Sequence, residues 1–125
     1  MRCIGIIGAM EVEVASLKEQ MKDIQVTRKA SMEFYSGIIE GKNVVVVRSG
    51  IGKVNAAVCT QILIDDFKAE VVINTGIAGS LNADINIGDI VVSTDLIHHV
   101  VIRLDRFRRW KLFLSTVMMH FAHLQ

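Results

Sequence analysis

Three apolar runs that stop at small residues constrain this chain more than any other feature: CIGIIG near the start, NVVVVRSG in the middle and EVVINTG further on. The first and third are short continuous stretches without polar alternation, the pattern of strands buried on both faces. Such strands need helices packed over them, so an α/β layered domain is expected. Residues 33–39 and 43–48 form two strand-like runs around EGK and read as a hairpin. Between the first strand and that hairpin the period changes. Met10, Val14, Leu17 and Met21 recur at helical spacing and leave Glu11, Glu13, Lys18, Glu19 and Lys22 on the other face. A second helix is expected from Lys53 to Phe67, with Val54, Ala57, Val58, Ile62 and Leu63 as its apolar stripe. GDIVVST, residues 88–94, reads as a further strand. The order is β-α-β-β-α-β-β, with one antiparallel pair and at least one right-handed crossover back to the first strand's sheet.

A length of 125 residues suits one domain. The net charge of +1 gives no overall pull toward nucleic acid or an anionic membrane, so neither is an expected partner, and a small neutral or zwitterionic ligand stays open. The two cysteines, Cys3 and Cys59, have no partner at metal-binding spacing and read as free thiols. Nothing near Met1 combines a basic leader with an apolar core and a cleavage site, which makes the cytoplasm the expected location.

Two phosphate-binding motifs can be tested and set aside. A dinucleotide loop needs G-x-G-x-x-G, whereas Gly5 and Gly8 are three apart, and Glu11 and Glu13 at the helix start would repel a phosphate. GIGKV ends like a P-loop, yet Val47 stands at the first glycine position and Val54 where a metal-binding hydroxyl is needed. What remains is three strand ends followed by turns of small residues: GAMEVE, SGIGK and NTGIAGS. In open α/β sheets such turns converge beyond the carboxyl ends of the strands and form the ligand pocket. Glu13 would then lie near its floor, able to orient a water or act as a base. It could equally be a solvated first-turn residue favoured by the helix dipole.

IGIIGAMEVEV, SGIGKVNAA and INTGIAGSL followed by INIGDIVVS, in this order and at these separations, resemble the 5′-methylthioadenosine/S-adenosylhomocysteine nucleosidases of the purine nucleoside phosphorylase superfamily. The resemblance runs from Ile4 to about His99 and includes FYSG in the hairpin. It implies a three-layer αβα sandwich of the nucleoside phosphorylase/hydrolase type, here stopping after the first half of the sheet, and a homodimer or other self-association. The implied activity is hydrolysis of the N-glycosidic bond of an adenine nucleoside to release adenine, with no cofactor and no metal. By the same resemblance Glu13 is the catalytic carboxylate that positions the attacking water. Ala9, Met10 and Ile51 would line the ribose pocket, and Ile77, Ala78 and Gly79 would belong to the turn against adenine and ribose. An oxocarbenium-like transition state suits such a site, because it calls for a placed water, negative charge near the sugar and a proton for the leaving base. The family pattern N-T-G-S-A-G has a serine where this chain has Ile77. A phosphorolytic relative is the alternative chemistry, for which only Arg48 speaks. A catalytically dead, self-associating fragment is the alternative of another class.

Residues 1–99 carry this resemblance and residues 100–125 do not. Four arginines and a lysine crowd into residues 103–111, and no formally charged side chain follows from Leu112 to Gln125. That last stretch has no single apolar stripe and is too short to span a bilayer core of ~30 Å as a helix. His98 and His99 match a family position, whereas His120 and His123 match none. A frameshifted or truncated gene product is the expectation. Family members continue into a second half that supplies the acid for adenine and a carboxylate for the ribose hydroxyls. The chain alone is therefore expected to have little or no activity.

Overall fold

The structure, a computed structural model, describes residues 2–80, 82–93 and 117–118. Its centre is β1, Cys3–Gly8, flanked in parallel by β4, Lys42–Arg48, and β5, Ala69–Asn74. β2, Lys22–Lys29, and β3, Met32–Ile39, extend the sheet beyond β4 as antiparallel neighbours, giving the order β2-β3-β4-β1-β5. Helix α1, Glu11–Gln20, follows β1, and helix α2, Lys53–Asp65, links β4 to β5. The chain leaves β1 toward one edge of the sheet and crosses back over it between β4 and β5. Right-handed connections that run in opposite directions must lie on opposite faces. In a second, two-stranded sheet, β6, Val91–Val92, pairs antiparallel with β7, Val117–Met118.

Alternation along β4 creates the two sides of the core. Val45 and Val47 face α2 together with Ile7, Met32, Phe34, Cys59 and Leu63. Val44 and Val46 face α1 with Val14 and Met21. The three layers expected from the sequence are therefore present, helix, sheet and helix. Phe34 stacks on Phe67 at a ring-centroid distance of 5.2 Å and seals the lower end of the α2 side. Burial pushes the Cys59 thiol up to about 12, which makes it an inert core residue. Cys3, half-buried, is also raised, first by burial and then by the charge of Glu70.

The structure differs from the sequence reading in three places. β2 is an additional strand, exposed along its whole length. It lies at the sheet edge, where Lys22, Arg28 and Lys29 keep the unpaired side of the backbone from recruiting another strand. Its hairpin turn is Ala30-Ser31, at φ of 49° and 61°, residues that do not advertise a tight turn in sequence. In α2, Val54, Ala57 and Val58 of the expected stripe are exposed; Leu63 is buried and Ile62 packs against the core as expected, and Cys59 joins Leu63 on the buried face. Of the strand expected over residues 88–94, the described residues 88–93 are strand only at Val91–Val92. Residues 94–116 and 119–125, which hold all four histidines, lie outside the described residues. Among the described residues no helix is long and apolar enough to cross a membrane.

Leu63 is fully buried and fills the space left by the missing side chain of Gly5, where an added Cβ would come within 2.9 Å of Leu63 Cδ1. Leu63→Ala should lower unfolding free energy by about 3 kcal/mol, whereas Val54→Ala, at a residue that is 77% exposed, should change it by less than about 0.5 kcal/mol. Urea unfolding of the two variants checks this, and equal midpoints would contradict the described core.

Candidate functional site

The site begins where the three parallel strands end together. Ile7 O accepts from the backbone N–H of Thr75 at 2.8 Å, and Gly8 O accepts from that of Ser49 at 2.9 Å. These bonds continue the ladders on both sides of β1 by one residue, so the turns after β1, β4 and β5 start at the same level of the sheet. Ser49 and Thr75 are the two buried polar residues of the described core. The Ser49 hydroxyl donates to Gly50 O at 2.9 Å, and the Thr75 hydroxyl lies 3.4 Å from Ile7 O. The sequence reading passed over both residues, although each lies one polar residue past an apolar run, in a turn of small residues.

Glu13 ties two of these turns together. It is the third residue of α1, and its Oε2 accepts the backbone N–H of Met10, the helix N-cap, at 2.9 Å. That is the acidic half of a capping box. Its Oε1 accepts the backbone N–H of Ile77, across the site, at 3.2 Å. A half-buried carboxylate is thus held by one amide from the GAMEVE turn and one from the NTGIAG turn. Two glycines make room for it. A Cβ on Gly8 would lie 2.6 Å from Val14 Cγ1 and 3.0 Å from Glu13 Cβ, and one on Gly76 would lie 3.0 Å from Glu13 Oε1. Each carboxylate oxygen has a second lone-pair direction, so Glu13 can still accept from a water.

Ala9, Met10 and Ile51 come together, with Ser49 and Gly50, along a groove of about 400 Å³. Met10 is 39% and Ile51 77% exposed, so both present apolar surface to whatever occupies the groove. Ile77 reaches the site through its backbone amide, and its side chain is 53% exposed. Ala78 and Gly79 follow in the same turn without lining that groove; the space over Gly79 is open. The groove also has walls from Glu11 and Arg48, and from Ser31 and Met32, which the sequence reading did not single out. Ser31 and Met32 come from the β2–β3 hairpin, whose turn left no mark in the sequence.

A family model described as the phosphorylase superfamily matches residues 3–122. The chain is 54% identical over 98 residues to the 5′-methylthioadenosine/S-adenosylhomocysteine nucleosidase of Anoxybacillus flavithermus, an alignment that covers 78% of this chain and 42% of that protein. The solved nucleosidase of Colwellia psychrerythraea, in complex with adenine, superposes with a TM-score of 0.80 at 50% identity over 83% of this chain and 43% of the other. That of Neisseria meningitidis, in complex with methylthio-immucillin-A, gives 0.78 at 42% identity, covering 81% and 44%. The chain spans about two-fifths of the length of the curated relative.

Glu13→Gln would set a side-chain NH₂ against one of the two backbone N–H groups while keeping a carbonyl oxygen for the other. Losing one charge-assisted hydrogen bond is worth about 1.5 kcal/mol. Amide hydrogen exchange should therefore accelerate about tenfold at Met10 or Ile77, with Val46 in the middle of β4 unaffected. Unchanged exchange at both turn amides would show that Glu13 does not hold them.

Proposed function

We propose a function from one premise: this chain belongs to the phosphorylase superfamily, in its 5′-methylthioadenosine/S-adenosylhomocysteine nucleosidase branch. The site is read as one for adenine nucleosides, at which the N-glycosidic bond is hydrolysed to give adenine and a thioribose. The observation that carries this reading is the Glu13 carboxylate held between Met10 N–H and Ile77 N–H. Held from two sides, it keeps a fixed direction for its remaining lone pairs, and that is what a water-positioning group needs. Its negative charge would also favour positive charge developing on the sugar in an oxocarbenium-like transition state. Ala9, Met10 and Ile51 would take the ribose and its 5′ substituent, and Ile77, Ala78 and Gly79 would take the adenine side. With Ile77 in place of the family serine, no side-chain hydroxyl stands at that position, and backbone amides carry the polar contacts of the turn.

Hydrolysis is favoured over phosphorolysis because the first turn offers Met10, Glu11 and Glu13, and repulsion by two carboxylates disfavours a phosphate there. The resemblance puts the acid for adenine and the carboxylate for the ribose hydroxyls in the portion of the relatives that this chain does not span. An acid–base group is commonly worth about 10²–10⁴ in rate. The 125-residue polypeptide is thus expected to bind a nucleoside and to turn it over far below ~1 s⁻¹. Titration with 5′-methylthioadenosine should shift the Met10 and Ile77 amide resonances, and adenine release should be indifferent to inorganic phosphate. Absence of any shift would refute the nucleoside reading; phosphate-dependent release would replace hydrolysis by phosphorolysis.

Self-association is the second part of the proposal. Val54 and Val58 lie one turn apart on α2 and are 77% and 39% exposed. Exposed apolar side chains at adjacent turns of a helix suit an interface, and a second copy is the occupant that the family resemblance implies. Sedimentation should give a particle larger than 13.9 kDa, and Val54→Lys should return it to a monomer. A wild-type monomer at every concentration would refute the pairing.

A further inference from the structure

Beside the apolar groove lies a second one, of about 380 Å³, whose lining is charged: Glu11, Lys18, Arg28, Glu33 and Arg48. The two are continuous, because Glu11, Ser31, Met32 and Arg48 belong to both. We propose that the charged groove receives the amino-acid end of the 5′ substituent of S-adenosylhomocysteine, with the carboxylate on Arg48 and the ammonium on Glu11. The inference rests on the reading of the neighbouring groove as a nucleoside site. It assigns a role to residues outside that groove's apolar wall and sets what distinguishes the two 5′ substituents.

The charges in the groove are unequally committed. Arg28 holds Glu33 at 2.7 Å. The Tyr35 hydroxyl also donates to Glu33, at 2.8 Å, and these two partners keep its carboxyl below the usual range, Tyr35 contributing most and Arg28 next. Lys18 reaches Glu11 Oε1 at 2.7 Å and lies 4.2 Å from the centre of the Tyr35 ring, its side chain only 15% exposed. Arg48 differs. Its one ion pair among the described residues is a distant contact of Nε with Glu11 Oε2, at 3.8 Å, and its side chain is 59% exposed. A guanidinium so placed can turn its two-pronged edge to a carboxylate. The same long contact leaves Glu11 Oε2 able to accept from an ammonium.

An α-amino acid is a zwitterion at neutral pH, with the two charges on one carbon. Arg48 and Glu11 offer the opposite pair of charges side by side, at the junction between the apolar and the charged groove. A methylthio group carries no charge and gains nothing there. Arg48 also follows from the fold. It is the last residue of β4 and pairs in register with Gly8, so its backbone lies level with the end of β1, beside the Met10 turn.

The test is a titration of the wild-type chain, Arg48→Met and Arg48→Lys with 5′-methylthioadenosine and with S-adenosylhomocysteine. In Arg48→Met the ratio of the two affinities should move against S-adenosylhomocysteine about tenfold, the size of one charge-assisted hydrogen bond. Arg48→Lys should restore part of the ratio, because the charge returns without the fork. Equal losses for both ligands, or no loss, would overturn the assignment. If the wild-type chain binds 5′-methylthioadenosine but not S-adenosylhomocysteine, this inference fails and the nucleoside reading stands. Binding of neither ligand refutes both.

Discussion

The carbonyl groups of Ile7 and Gly8, at the end of the central strand, accept the backbone N–H groups of Thr75 and Ser49 from the two neighbouring strands. The candidate site depends on that arrangement, since it makes three separate turns begin at one level of the sheet. β1 is flanked on both sides by parallel strands, so β4 and β5 cannot slide along it without breaking a whole ladder and turning apolar side chains away from their helices. Val44 and Val46 facing α1, against Val45 and Val47 facing α2, fix the same register a second time through packing.

Within that frame Glu13 is held from two sides. A first-turn glutamate satisfies an exposed helix N–H and gains from the helix dipole. Here the same side chain also accepts Ile77 N–H from a turn 64 residues further along the chain. The helix terminus supplies the local restraint and β5 the distant one. A carboxylate with three rotatable bonds would otherwise sample many directions; two amide contacts choose one. The bland reading of Glu13 and the catalytic one are therefore compatible, because the contacts that satisfy the helix are those that aim the oxygens.

Much of the fold was legible because the relevant signals are local. Unbroken apolar runs gave β1 and β5, helical spacing gave α1, and Gly41 marked the β3–β4 turn. β2 was not legible: Ile24 and Val26 alternate, but charged neighbours surround them and the turn is Ala30-Ser31. A sheet-edge strand buries nothing, so its residues carry no apolar signature. α2 misled for the opposite reason. It is apolar over much of its circumference, and hydrophobicity alone did not tell the buried face with Cys59 and Leu63 from the exposed one with Val54 and Val58. The candidate site divides in the same way. Ala9, Met10 and Ile51, which line the apolar groove, were named from their motifs, whereas Ser31, Met32 and the contacts of Lys18, Arg28 and Glu33 in the charged groove were not.

The sequence by itself determined an α/β layered fold, three strand ends that carry small-residue turns, and a carboxylate two residues into the first helix. These follow from the order of apolar and small residues over a few positions, which chain geometry translates directly into strand, turn and helix. Only the tertiary structure decided that Glu13 reaches Ile77 N–H, that the β2–β3 hairpin closes one side of the groove, and that Arg48 stands between its apolar and charged parts. Each of those relations joins segments far apart in the chain. Their distances are set by strand register and by the packing of helices on opposite faces, which no single stretch of residues encodes.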